Sequence, residues 1–422
     1  MSLFWALWVT GLVRSVLAHS PVVTVEQAIH LAVQQHPRLQ AARLRMDAAQ
    51  TGVRAARALP LPTFFFAPGV PNVNGTTEEL LFTQPLELNG TRAARLGVAR
   101  AQMERARAEA LAELQQVVFE VKRAYFELFR AQQQLTLARD LLADTERLHQ
   151  LTGRLVELGA RPGIERVQTD IERVRARQQV AVAEGEMKAA LAGLNGWIGR
   201  RPDAPAGTLS LALPSPEALS LERLREQAYA HRAEIRGVQA AREQFFQEAR
   251  LARAEGLPDI APQFRAQNLI RSFTPQDYGF SLVVTLPLFD WGGRRQRARQ
   301  AEQAARAEEA LLLATQVRVQ QEVAQALARY QAAGAVLQEF PEGLLAQSRR
   351  LWEGALRAFQ TGAPGASLIT VLEAQRTYRA VQREYIHARV DLAIAHAALE
   401  RATGQVPAFL QEAVLATGGR EK

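Results

Sequence analysis

A mainly α fold with a small membrane β part is predicted by three observations. The sequence is written twice, most of it carries a helical period, and each copy holds a pair of strand-like segments. The segment from Thr24 to Pro62 returns as Ser220 to Pro258 at an offset of 196, so that Glu26 meets Glu222, Arg54 meets Arg250 and Ala56-Arg57-Ala58 meets Ala252-Arg253-Ala254. Further on the offset is 202: Pro85-Leu86 meets Pro287-Leu288, Gly90 meets Gly292, Arg92 meets Arg294 and Glu120-Val121 meets Glu322-Val323. The change falls between the two proline landmarks of each copy, so the element there is longer in the second. Two large copies in tandem predict a pseudo-twofold inside each chain.

The helices follow from period. Leu111, Leu114, Val118, Val121, Tyr125 and Leu128 recur at steps of 3 and 4, a heptad seam. The pattern resumes at Leu148, Leu151, Leu155 and Leu158. No proline stands between Gly90 and Gly159, and a continuous helix there is ~100 Å long at ~1.5 Å per residue. The second copy repeats the layout from Gly293 to Thr361, with Val323, Leu327, Tyr330, Leu337 and Leu344 on one face and a kink expected at Pro341. Each long helix ends at a glycine and proline turn, 159–163 in one copy and 361–365 in the other, and a second helix returns to about Gly196 and about Ala402.

The strands follow from alternation. Ile260, Pro262, Phe264 and Ala266 alternate with Ala261, Gln263, Arg265 and Gln267, and after a turn-like segment at 271–277, Tyr278, Phe280, Leu282, Val284 and Leu286 alternate with Gly279, Ser281, Val283 and Thr285. Phe64-Phe65-Phe66 and Leu80-Leu81-Phe82 flank a strong turn at 71–75 in the first copy. Each member of the second pair has the ~9–11 residues a tilted transmembrane strand needs. Four strands cannot close a barrel, and open edges cannot stay in lipid with unbonded backbone groups. Membrane strands here therefore require several chains.

These elements divide the chain into a signal peptide (1–18), a first repeat (19–199, β-hairpin about 63–85), a linker (200–219), a second repeat (220–406, β-hairpin about 259–287) and a C-terminal tail (407–422). Leu3 to Val13 is a short apolar run, and Val16-Leu17-Ala18 resembles a small-residue cleavage site, although no Lys or Arg precedes the run. The linker holds Leu209-Ser210-Leu211-Ala212-Leu213, which reads as a small strand.

Composition excludes several chemistries. The absence of cysteine excludes disulfides, thiolate metal sites, a thiol nucleophile and a lipid anchor on an N-terminal cysteine. The net charge of +8 is carried almost entirely by arginines interleaved with acids along predicted helices, which reads as a solvated helical surface. His30 and His36 are six apart and His387 and His396 nine apart, so neither pair stands one turn apart as metal ligands do. No catalytic, cofactor or metal site is expected.

The ordered segments Thr24-Val25-Glu26-Gln27-Ala28, Gln84-Pro85-Leu86-Glu87-Leu88-Asn89-Gly90-Thr91-Arg92, Leu286-Pro287-Leu288-Phe289-Asp290-Trp291-Gly292-Gly293-Arg294, Gly362 to Gln375 and Leu399-Glu400-Arg401-Ala402-Thr403-Gly404 together resemble the TolC-type outer membrane factors. The first junction, Pro85-Leu86-Glu87-Leu88-Asn89-Gly90, resembles the CzcC-type cation-efflux branch. The resemblance implies a homotrimer whose four strands per chain make a twelve-stranded barrel in the outer membrane. Long helical hairpins make an α-barrel through the periplasm, and a periplasmic adaptor and an inner-membrane pump of the RND type are the partners. It implies a passive exit duct, not an enzyme. Docking tips match at Arg154, Leu158, Gly159 and Ala160 and at Thr361, Gly362 and Ala363. Family members carry aspartates beyond the tips, and Arg166 and Thr370 stand at those positions here; Glu373, on the Thr370 face, is the acid that remains in the periplasmic gate.

Arg92 and Arg95 begin one strand-proximal helix, and Arg294, Arg295, Arg297 and Arg299 begin its repeat. Cations at a helix N-terminus oppose the dipole. Phospholipid headgroups and an intersubunit salt-bridge belt would each compensate them. Two rival functions remain open: a periplasmic coiled-coil adaptor or scaffold with no membrane barrel, and a basic helical nucleic-acid binder. Neither calls for paired strands with one apolar face. Mass spectrometry of the membrane fraction should find the mature N-terminus near His19, and an intact Met1 would defeat the signal-peptide reading.

Overall fold

The structure is a computed structural model, and it describes residues 24–68, 78–213, 219–267, 278–287, 291–341 and 343–415. The expected signal peptide, the turns at 71–75 and 271–277 and residues Leu288, Phe289 and Asp290 lie outside the described residues. In chain order the elements are α1 (Val25–Gln35), α2 (Pro37–Arg57), β1 (Thr63–Ala67), β2 (Glu79–Thr83), α3 (Thr91–Glu157), α4 (Gly163–Trp197), α5 (Leu221–His231), α6 (Ala233–Ala254), β3 (Asp259–Gln267), β4 (Tyr278–Thr285), α7 (Gly293–Gln338), α8 (Leu344–Thr361), α9 (Leu368–Thr403) and α10 (Ala408–Leu415). None of the described helices is long and apolar enough to cross a membrane. The described residues form two compact units, one drawn from within 1–40, 113–231 and 319–413, the other from within 41–112, 232–318 and 414–422.

The first unit is helical. The heptad seam of α3 is its core: Leu114, Val118, Val121, Tyr125 and Leu128 are buried, as are Val319, Val323 and Leu327 of α7. Toward the end of α3 the seam thins, and Leu158 lies beyond the helix with 80% of its surface exposed. Tyr125 explains the linker. Its hydroxyl donates to the Ser210 carbonyl at 3.0 Å and accepts from the Ser210 amide at 3.2 Å. Residues 208–213 are therefore held by a side chain from α3 and form no strand, contrary to the alternation of Leu209, Leu211 and Leu213. At Pro341 the break is complete: α7 stops at Gln338, and α8 starts at Leu344 after Gly343.

The second unit holds the sheet, an antiparallel meander in the order β1-β2-β3-β4. Register makes its two faces unequal. Phe64, Phe82, Phe264 and Phe280 stand directly opposite one another across all four strands. The Phe264 and Phe280 rings are 5.2 Å apart. The same face carries Phe66, Leu80, Ile260, Pro262, Ala266, Tyr278, Leu282 and Val284. One residue along, Thr63, Thr83, Gln263 and Ser281 form a polar row on the opposite face. The Gln263 amide donates to Thr83 Oγ1 at 2.9 Å, and Arg265 on that face pairs with Glu79 at 2.8 Å. Tyr278, Phe280, Leu282, Val284 and Leu286 are all exposed, Phe280 by 86%. The described β3 and β4 have nine and eight residues, whereas β1 and β2 have five each, shorter than their second-copy counterparts.

The register sets a test. Val284 lies on the apolar face and Ser281 on the polar one. Arginine at Val284 should cost ~2–4 kcal/mol of insertion stability at the bilayer midplane, while arginine at Ser281 should fold and insert nearly normally. Cysteine labelling with the reverse accessibility would shift the register by one.

Candidate docking tips, gate and membrane face

The two hairpin turns are built alike. At the end of α3 the Gly159 amide donates to the Val156 carbonyl at 2.9 Å and the Ala160 amide to the Leu155 carbonyl at 2.8 Å. At the end of α8 the Gly362 amide donates to Phe359 at 3.4 Å and the Ala363 amide to Ala358 at 3.0 Å. Both are Schellman closures with the glycine in the left-handed region, at φ +73° for Gly159 and +68° for Gly362. A Cβ at either glycine would meet no neighbour, so any substitution acts through the backbone alone. Arg154 lies in the last turn of α3 and Thr361 ends α8, both with exposed side chains, and the Thr361 hydroxyl donates back to the Arg357 carbonyl at 3.2 Å.

A residue outside the sequence-based set joins the two turns. The Arg161 guanidinium lies 4.5 Å from the centroid of the fully buried Phe359 ring, donates to the Ala366 carbonyl at 3.0 Å and stands 3.9 Å from Glu165. Beneath it Leu148, Phe359, Leu368 and Val371 form a closed apolar cluster. Deeper on the same helices Asp144 pairs with Arg379, whose guanidinium also lies over the Tyr378 ring, and Tyr378 stacks on Trp352. Burial pushes the Asp144 carboxyl above the ordinary carboxylate range, against the pull of Arg379 and Arg147.

Within the chain the three candidate gate residues have separate partners. Arg166 faces Glu157 at 3.6 Å. The Thr370 amide donates to Ser367 Oγ, the N-cap of α9, and the two hydroxyls lie 2.9 Å apart. Glu373 is exposed and makes no ion pair within the described chain. On α4, Ile164, Val167, Ile171 and Val174 are exposed at heptad spacing, a second feature missing from the sequence reading although its 3-4-3 steps are visible there.

The six strand-proximal arginines separate into two kinds. Arg92 donates through Nε and Nη2 to the Arg57 carbonyl at 3.1 and 2.6 Å, and Arg95 donates to the Ala58 carbonyl at 3.1 Å. Both therefore satisfy carbonyls at the C-terminus of α2. Arg95 also binds both Glu87 oxygens, at 2.6 and 2.8 Å. Glu87 stands at φ +53°, so this fork pins a strained junction residue. Arg297 pairs with Glu255 at 3.3 Å, and Arg294 is half-buried. Arg295 and Arg299 are exposed. Of the histidines, His36 stacks on Trp197 and is lowered in pKa by burial, and His149 bonds Thr169 at 3.0 Å; both are packing groups.

An apolar-faced four-stranded sheet joined to long helical hairpins defines a channel-forming protein of the outer-membrane type. The family model for outer membrane efflux protein matches residues 28–200 and 224–405, once per repeat, and the chain belongs to that family. Solved structures share the fold. The outer-membrane channel OprN superposes with TM-score 0.74 at 20% identity, covering 92% of this chain and 90% of its own. CusC gives 0.72 at 20%, covering 90% and 92%, and VceC of Vibrio cholerae 0.71 at 20%, covering 90% and 96%. No curated protein sequence matches the chain.

Replacing Arg161 by Met keeps the stem over Phe359 and removes the cation–π contact and the hydrogen bond. Those are worth ~1–2 kcal/mol together. Amides at 363–371 should then exchange roughly tenfold faster, and unchanged protection would show that the turns are held by the apolar cluster alone.

Proposed function

We propose that the chain is one third of a passive outer-membrane exit duct that receives cargo from an inner-membrane pump through a periplasmic adaptor. The observation that carries this is the sheet: four strands, one wholly apolar exposed face, and outer edges on β1 and β4 with no partner strand among the described residues. Lipid does not tolerate unbonded backbone, so the edges close on other copies of the chain, and three copies supply twelve strands. The exposed heptad stripe of α4 at Ile164, Val167, Ile171 and Val174 supports the same assembly, because such a seam is covered by another helix. The turns at Gly159 and Gly362, with Leu158 exposed beside them, present a small-residue surface for the adaptor.

The purified protein should be a detergent-requiring trimer, and a stable water-soluble monomer would end this reading. The junction that resembles the cation-efflux branch does not itself report on cargo, because Arg95 occupies both oxygens of Glu87. Glu373 is better placed, since three copies supply three unpaired carboxylates to the gate. Glu373→Gln should lower cation preference in planar-bilayer conductance. Arg166→Ala should raise it, by freeing Glu157 as well as by removing a positive charge. Unchanged selectivity in both would place the constriction elsewhere.

A further inference from the structure

Arg295 and Arg299 differ from the other strand-proximal arginines in origin and in environment. Arg92 and Arg95 recur in the second copy as Arg294 and Arg297 at the offset of 202, whereas Arg295 and Arg299 fall opposite Ala93 and Gly97. The duplicated pair is the structural one, holding the α2 carbonyls in one copy and Glu255 in the other. The additional pair is exposed and makes no hydrogen bond or ion pair with any described residue. Four residues apart, the two share one face of α7.

Trp291 precedes Arg295 by the same step. It is 98% exposed, the most of any large apolar side chain among the described residues. Its φ of +50° is a left-handed conformation that side chains with a Cβ resist. The indole is thus held in the open at a conformational cost. On the strand side, the apolar alternation of β4 continues to Leu286, also exposed. The chain thus passes from apolar side chains through one amphipathic aromatic to two free guanidiniums. That is the order of hydrocarbon, interface and headgroup across a leaflet boundary.

A salt-bridge belt between chains is poorly supplied with acids. Residues 48–57 of α2, 91–103 of α3 and 293–301 of α7 contain no Asp or Glu. Among the described residues, Glu87 is engaged by Arg95, Glu255 by Arg297 and Glu302 by Arg253. Asp259 lies on the polar face of the sheet, opposite Thr285.

We propose that Trp291, Arg295 and Arg299 form a binding surface for the phosphate of anionic glycerophospholipid in the leaflet next to the helices. The indole takes the interfacial level and each guanidinium offers a fork to phosphate oxygens. This rests on the outer-membrane reading. The test uses the intact trimer in nanodiscs of phosphatidylcholine containing a minor fraction of phosphatidylglycerol, with retained lipid counted by native mass spectrometry. Two basic side chains near an anionic surface supply roughly 30-fold in affinity. Phosphatidylglycerol retention by R295Q/R299Q should fall by that order and lose its salt dependence, with phosphatidylcholine retention unchanged. R295K/R299K should be intermediate, since it keeps charge and loses the fork, and R201Q, altered in the linker, should match wild type. Equal phosphatidylglycerol retention by wild type and R295Q/R299Q overturns the proposal. So does unchanged retention with altered ion selectivity in planar bilayers, which would place the pair on the pore. Wild-type protein that inserts into no bilayer would instead sink the channel reading beneath it.

Discussion

A strand in hydrocarbon must have its backbone donors and acceptors bonded to other strands, and the rest of the second unit is arranged around that requirement. The sheet is a plain meander, and the helices entering and leaving it keep its order. α2 and α3 are joined by Arg92 and Arg95 and by the cluster of Val53, Ala56 and Ala99. Gly237 of α6 approaches Ala108 of α3, and Arg253 and Glu255 of α6 pair with Glu302 and Arg297 of α7. The helix order α2-α3-α6-α7 is thus the strand order β1-β2-β3-β4 carried onward. A sheet open at β1 and β4 delivers helices in the sequence a closed multi-chain ring needs.

Duplication has kept backbone devices and varied the side chains that anchor them. Both hairpin turns close by the same pair of amide-to-carbonyl bonds around a left-handed glycine. Only the first turn has Arg161, and it reaches across to serve the second through Phe359 and Ala366. Likewise Arg95 and Arg297 are equivalent by sequence. One forks onto Glu87 in its own junction, and the other pairs with Glu255 at the end of the preceding helix.

What could be read from the sequence depended on whether a residue's role is set by its near neighbours. The α3 seam, the glycine turns and the β4 register are local periodicities, and Val121, Gly362 and Phe280 stand where those periods put them. The first hairpin was opaque because Phe64-Phe65-Phe66 is apolar at every position, so no period of two is visible; its faces emerge only by pairing Phe82 with Phe264. Leu209 to Leu213 alternates and yet is no strand, because Tyr125, far away in sequence, takes the Ser210 backbone groups. Arg161 was missed for the same reason: its partners lie about two hundred residues on. The Arg166 to Glu157 pair runs from one side of the first turn to the other and has no periodic signature either.

In a chain this rich in arginine, charge count says little and pairing says much. Many guanidiniums along the helices meet a carboxylate one turn away or on a neighbouring helix, as Arg105 meets Glu109 and Arg376 meets Glu172. Such exposed pairs contribute ~0–1 kcal/mol each and mainly keep the surface solvated. A side chain left without a partner in the same setting pays nothing for exposure to water, so lack of a partner alone assigns no function. It becomes informative where the surroundings are not water alone. Arg295 and Arg299 follow a strand whose exposed face is apolar, in a stretch stripped of acids, beside an indole held at a positive φ. Glu373 follows a turn closed by a left-handed glycine, on a helix face where relatives by resemblance carry acids. On the function proposed above, the lipid-facing strands and the adaptor-facing turns are thus each followed by charges that the chain leaves unpaired.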